Sequence, residues 1–187
     1  MKRAIIAPMA LPAAALAELK QWLGINTMRE DALLFQLLVA ALDICEGYTG
    51  VSLIERDFEE MHAARAPFSP GGWQEVSTRP VQQVVSVTGV HGDGTREVLA
   101  QSAFRSEIDA NGVGRFRITE AGGATRVSVR YRAGMVTDWA SLPEALRHGI
   151  VRLAAHHHRS RDAADASVAP PLAVTALWQP WRRMRLT

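Results

Sequence analysis

The sequence predicts an α+β protein in which an antiparallel β insertion interrupts a small helical bundle and an extended C-terminal arm follows. Three observations predict it. Apolar residues recur at helical spacing from Leu16 to Cys45, the same spacing returns after Ser141, and the stretch between alternates with period two. Helices, then strands, then a helix is not the alternating order of a parallel sheet. The 187 residues are 48% hydrophobic and 21% charged, enough for a packed core and against global disorder.

Taken in order, Pro12 can open a helix, because the N–H it lacks is one the first turn leaves unpaired. Leu16, Leu19 and Leu23 give that helix an apolar face, and Gly24 stops it. Thr27 and Glu30 have capping-box spacing for a second helix, Asp31 to Tyr48. Its stripe is Leu34, Leu37, Leu38, Ala41, Leu42 and Cys45, ended by Gly47 and Gly50. Residues 51–58 read as extended, and 66–72, with two prolines and two glycines, as a loop. Val81 to Val90 is a valine-rich strand. In 126–132, Val127, Val129 and Tyr131 alternate with Arg126, Ser128, Arg130 and Arg132, the pattern of a half-buried strand. Gly92-Asp93-Gly94, Asn111-Gly112 and Gly122-Gly123 tolerate the positive φ of tight turns. A last helix starts near Ser141, with Ser141 and Glu144 at capping-box spacing and Leu146, Ile150, Leu153 and Ala154 as its buried stripe. Beyond Arg161 the chain is rich in Ala, Asp and Ser, and Pro170-Pro171 stops helix. The expected organisation is therefore 1–50 for the N-terminal helices, 51–135 for the β insertion, 136–165 for the final bundle helix and 166–187 for an arm.

Several function classes are set aside on composition. Cys45 is the single cysteine, so no intrachain disulfide and no multi-cysteine metal site can form. Its place in an apolar helical stripe suggests a small buried side chain. The N-terminus has Lys2 and Arg3 before a short apolar run broken by Pro8, too short for a signal peptide, and no membrane span is expected. A net charge of +2 does not by itself indicate nucleic-acid binding.

No catalytic, cofactor-binding or metal-ligating set is expected. His156, His157 and His158 point about 100° apart around a helix and cannot share one ion as an i, i+4 pair can. His148 and His156 share a face, but Arg152 lies between them. There is no nucleophile elbow and no His-Glu-x-x-His. The glycines from Gly89 to Gly94 follow a strand rather than open a helix, and only Lys2 and Lys20 are lysines. Glu59 and Glu60 read as solvated carboxylates. Two groups of residues suggest interaction instead. Arg126, Arg130 and Arg132 share the exposed face of one strand, a face open to a channel or a neighbouring subunit. The C-terminal Leu177, Trp178, Pro180, Trp181, Arg182, Arg183, Met184, Arg185 and Leu186 combine indoles with guanidinium groups, the side chains that most often dominate binding at interfaces. The other outcome for such a tail is folding back on its own domain.

Six segments, in order, resemble the head–tail connector (adaptor) proteins of long-tailed bacteriophages and gene transfer agents. They are Asp31 through Glu46-Gly-Tyr-Thr-Gly50, Arg79 to Val87, Val127 to Gly134, Leu142 to Ile150, Ala155 to Arg161, and Pro171 to Arg182. The resemblance runs from about Leu16 to Arg182 and is weaker over 58–72 and 104–119. It implies a structural virion protein at the head–tail interface, assembled in the bacterial cytoplasm. It further implies a dodecameric ring under the portal protein, which extends the DNA channel without sequence-specific binding and presents a platform to a tail-side connector or stopper. The C-terminal arm of such relatives grips the portal, and the residues matching it here are those from Leu177 to Leu186. The competing readings are a nucleic-acid-binding accessory domain and a metal-dependent hydrolase using the histidine run.

Overall fold

The computed structural model describes residues 3–6, 11–64, 72–160 and 169–183. The chain divides into two compact units. One comprises residues 1–9 and 54–135, the other residues 10–53 and 136–187.

The second unit is helical. α1 (Ala13–Leu23) follows Pro12 and ends at Gly24, whose φ of +72° only glycine adopts without strain. There the Gly24 N–H bonds the Gln21 carbonyl and the Ile25 N–H the Lys20 carbonyl, the Schellman pattern that satisfies the last carbonyls. α2 (Asp31–Thr49) ends at Gly50, φ +71°, and runs through Gly47, so Gly47 is not its stop. α3 is Glu144–Ser160 and α4 is Leu172–Trp178, followed by a 3-10 turn at Gln179–Trp181. Most of the expected stripes form the core: Leu19 of α1, Leu34, Leu38, Ala41, Leu42 and Cys45 of α2, and Leu146, Ile150, Leu153 and Ala154 of α3 are buried, whereas Leu16, Leu23 and Leu37 are half-buried.

Neither expected capping box forms. Glu30 caps α2 without a side-chain bond to the backbone, and its carboxylate instead meets His158 at 3.0 Å. The Ser141 hydroxyl donates to Asp138 Oδ2, and Glu144 pairs with Arg147. In both cases a tertiary or neighbouring partner outcompetes the local bond. Although no membrane span was expected, α2 is long and apolar enough to be one, with 19 residues at mean hydropathy 1.4. It also carries Asp31, Asp43 and Glu46, and one stripe of it packs inside the helical unit, as in a core helix.

The first unit is two antiparallel sheets. The larger has strand order β1-β2-β8-β4-β5, with β1 Arg3–Ile5, β2 Arg56–Ala63, β4 Val81–Val90, β5 Arg96–Val98 and β8 Arg126–Ala133. The smaller is β3-β7-β6, with β3 Gln74–Glu75, β6 Phe104–Ile108 and β7 Gly114–Ile118. The three glycine turns fall between β4 and β5, β6 and β7, and β7 and β8 as expected. Val127, Val129 and Tyr131 of β8 face a core shared with Phe58, Val87, Phe104, Phe116 and Ile118. Gly134 follows β8 where a Cβ would stand 2.3 Å from the Glu55 backbone nitrogen, so nothing larger fits. β1 adds to this unit from ahead of the helices, which no apolar pattern signalled. The loop expected at 66–72 and the Ala/Asp/Ser-rich stretch 161–168 lie, apart from Gly72, outside the described residues.

Candidate docking surfaces

The C-terminal segment departs most from expectation. Pro171 caps α4, its missing N–H costing nothing at a helix start. Trp178, expected in an exposed arm, is fully buried within its own helical unit. Its indole lies over Gly149 of α3, where a Cβ would come within 2.2 Å of Nε1 and 2.9 Å of Cε2. Nε1–H donates to the Leu146 carbonyl at 3.4 Å, and Tyr48 packs with ring centroids 5.9 Å apart. A large indole meeting a helix only where a glycine removes the side chain is an intramolecular seat. Trp178 is therefore corrected from partner anchor to core residue.

The remaining residues of that set divide. Leu177 and Trp181 are half-buried, while Pro180, Arg182 and Arg183 are exposed. The Arg182 guanidinium stands 5.3 Å over the Tyr48 ring, and the Arg183 N–H donates to the Thr49 carbonyl at the end of α2. The segment is thus tied to α2 up to Arg183 and presents two guanidinium groups on its surface. Met184, Arg185 and Leu186 lie outside the described residues.

Arg126, Arg130 and Arg132 are exposed on one face of β8, as the alternation requires. They do not form a free basic stripe. Arg130 and Arg132 both reach Asp57 on β2, at 2.7 and 3.2 Å. Hydrogen bonds from Arg130 and then Arg132 hold the Asp57 carboxyl below the usual carboxylate range, despite the opposing effect of burial. Glu59, next on the same face, accepts from Ser128 and pairs with Arg96 at 3.3 Å. The face is a ladder of mixed sign, with cations in excess.

The histidines are held by separate partners. His148 meets Trp22 edge-on at 5.1 Å, and His158 pairs with Glu30. Burial, with His156 beside it, lowers the pKa of His157. Cys45 is fully buried, and burial, reinforced by Glu46, pushes its thiol pKa up, so it stays protonated and inert.

Glu60 overturns the reading of Glu59-Glu60 as solvated: it is fully buried at an inward position of β2. Its carboxylate accepts from the Ser77 N–H at 3.0 Å, the Ser77 hydroxyl and the Tyr131 hydroxyl, with His62 Nε2 3.4 Å away. Burial alone would raise its pKa, but these donors outweigh it and hold the carboxyl at about 2. The signal was present in the parity of β2, where Phe58, Glu60 and His62 share one face.

Residues 13–92, covering α1, α2 and the chain through β4, match the family described as phage gp6-like head–tail connector proteins. The match spans the helix pair, the Tyr48-Thr49-Gly50 helix end and the Arg79–Val87 strand on which the resemblance stood. Solved structures extend the likeness over the whole length. A chain from the neck of an empty gene transfer agent (GTA) particle, computed with C6 symmetry, is 27% identical with a TM-score of 0.75. A chain from the virion of a native GTA particle is 28% identical, also with a TM-score of 0.75. A third, from the neck of a native GTA particle computed with C12 symmetry, is 27% identical with a TM-score of 0.73. Each covers 100% of this chain and 98% of the other. No curated protein matches.

Proposed function

We propose that this chain is a structural subunit of the neck of a phage-like particle, forming the connector ring at the head–tail interface. The observation that carries the reading is full-length agreement, at a TM-score of 0.75, with a neck protein of a GTA particle, together with the connector match over 13–92. A ring repeats one interface between unlike faces until it closes, which suits the rotational symmetry of the matched necks.

In this reading the ring binds the portal protein, extends the DNA channel and carries the next tail-side component. The portal contact is assigned to the surface around Trp181, Arg182 and Arg183. Trp178 acts from inside the subunit, where its seat over Gly149 fixes the point at which the two arginines emerge. Preordering the segment lowers the entropy lost on docking, and repetition round the ring multiplies a modest contact. The mixed-sign ladder on β8 suits passage of DNA without retention, because Asp57 and Glu59 offset part of the arginine charge.

The test is capture by the portal. Full-length chain carrying Trp181→Ala, Arg182→Ala and Arg183→Ala is expected to melt near the wild type and to lose portal binding at least tenfold. Undiminished capture would contradict the assignment of this surface.

A further inference from the structure

Among its described residues, the helical unit leaves charges of opposite sign unpaired on two different faces. A cleft of about 240 Å³ is lined by Trp22, Arg152, His156, Arg159, Pro171 and Val174. Arg152, His156 and Arg159 recur along α3 at i, i+4 and i+7, so they line one stripe. Trp22, 45% exposed, and Val174 and Pro171 supply apolar walls. Among the described residues no carboxylate lines the cleft, and neither Arg152 nor Arg159 has an ion pair or hydrogen bond there.

The acids of this unit are otherwise engaged. Glu18 holds Trp139 and Arg147, Glu30 holds His158, and Asp31 holds Lys20. Glu46 accepts from Ser52 and the Leu53 N–H, Asp138 from Ser141, and Glu144 pairs with Arg147. Asp43 alone among the described acids of the unit has no such partner. It lies on an exposed stripe of α2, Leu33, Gln36, Ala40, Asp43 and Gly47, at i+3 and i+4 steps. That stripe is about 200° round the helix from Ala41 and Cys45, which pack inward, so it points away from the other helices.

We propose that the Asp43 stripe of one copy seats in the Trp22–Arg152–His156–Arg159 cleft of the next copy, as a repeating contact of the ring. This rests on the connector reading. Charge complementarity selects the occupant: among the described residues the cleft lacks an anion and the stripe lacks a cation. Geometry adds to it, because small Ala40 and Gly47 let the α2 backbone approach while Leu33 offers an apolar contact. Two unlike faces make a head-to-tail contact that propagates and closes. A symmetric pairing through α2 would set Asp43 against Asp43, a like-charge clash. Nucleic acid fits less well, since two guanidinium groups in a cleft this size hold a side chain or two and make no backbone track.

The test uses full-length chain with the portal protein of the same particle as template, scored by electron microscopy and mass measurement of rings. Wild type is expected to ring. Asp43→Arg and Arg152→Glu are each expected to weaken assembly roughly tenfold or more, and the two together to restore it within a few-fold. Melting points near wild type certify folding, and Arg159→Glu replaces Arg152→Glu if the latter does not fold. Single reversals that ring like wild type, a double reversal no better than the singles, or a cleft variant that loses only DNA binding would each overturn the proposal while leaving the connector reading intact. A wild type that never rings on the portal overturns both.

Discussion

The effect of Gly149→Ala on stability should change sign when Trp178 is removed. In the wild-type background, Trp178→Ala empties a fully buried indole site and removes the bond to Leu146. Such truncations cost about 3–5 kcal/mol. Gly149→Ala on its own brings a methyl within 2.2 Å of Nε1 and 2.9 Å of Cε2. Overpacking of that kind costs about 1–3 kcal/mol, from which the helix preference of alanine over glycine returns about 1. Gly149→Ala should therefore destabilise modestly where Trp178 is present. In the Trp178→Ala background the clash is gone, and the same change should stabilise by up to about 1 kcal/mol. The coupling between the two sites is expected at about 2 kcal/mol, within the range of contacting residues. Urea unfolding read by the far-UV helix signal measures it, and amide exchange at Ile150 and Leu153 assigns the loss to α3. A Trp178→Ala variant as stable as wild type, or a Gly149→Ala effect of the same sign in both backgrounds, would refute the intramolecular seat and restore a free arm.

Three further outcomes follow from the β unit. Glu60 has a folded pKa of about 2 against an ordinary 4.5, so its network stabilises above pH 4.5 and the contribution fades as pH falls toward 2. The shift corresponds to about 3 kcal/mol, so Glu60→Gln should lower stability at neutral pH by that order and flatten the acid limb of the stability–pH curve. Gly134→Ala meets backbone at Glu55 that cannot step aside, and should cost more than about 2 kcal/mol in thermal unfolding or prevent folding. Asp57→Asn should change stability by less than about 1 kcal/mol, as exposed ion pairs do, while raising salt-sensitive retention on DNA, because Arg130 and Arg132 lose their shared counter-charge.

Much of the fold was legible because local signals agreed with the tertiary outcome. The stripes of α2 and α3 and the alternation of β8 each require one buried face, and each found it. The caps were misread because Glu30 and Ser141 have better partners, His158 and Asp138, which spacing along the chain cannot show. The site was legible only in part. An indole beside arginines looks the same in sequence whether it meets a partner or its own domain. The deciding residue is Gly149, an otherwise unfavourable glycine in a helix interior, whose use appears only when α4 is laid on α3. Glu60 was missed for a similar reason, since a carboxylate on an inward parity is informative only once Ser77 and Tyr131 are seen to converge on it.

Imaging tests most directly whether the chain forms a ring in the neck of a particle. Cryo-electron microscopy of the chain co-expressed with the portal protein of its own particle should show a closed ring of this fold below the portal. In that ring Trp178 should sit over Gly149 in every copy, with Arg182 and Arg183 turned toward the portal. Free monomers beside bare portals, or rings in which Trp178 has left Gly149 to enter the portal, would contradict it.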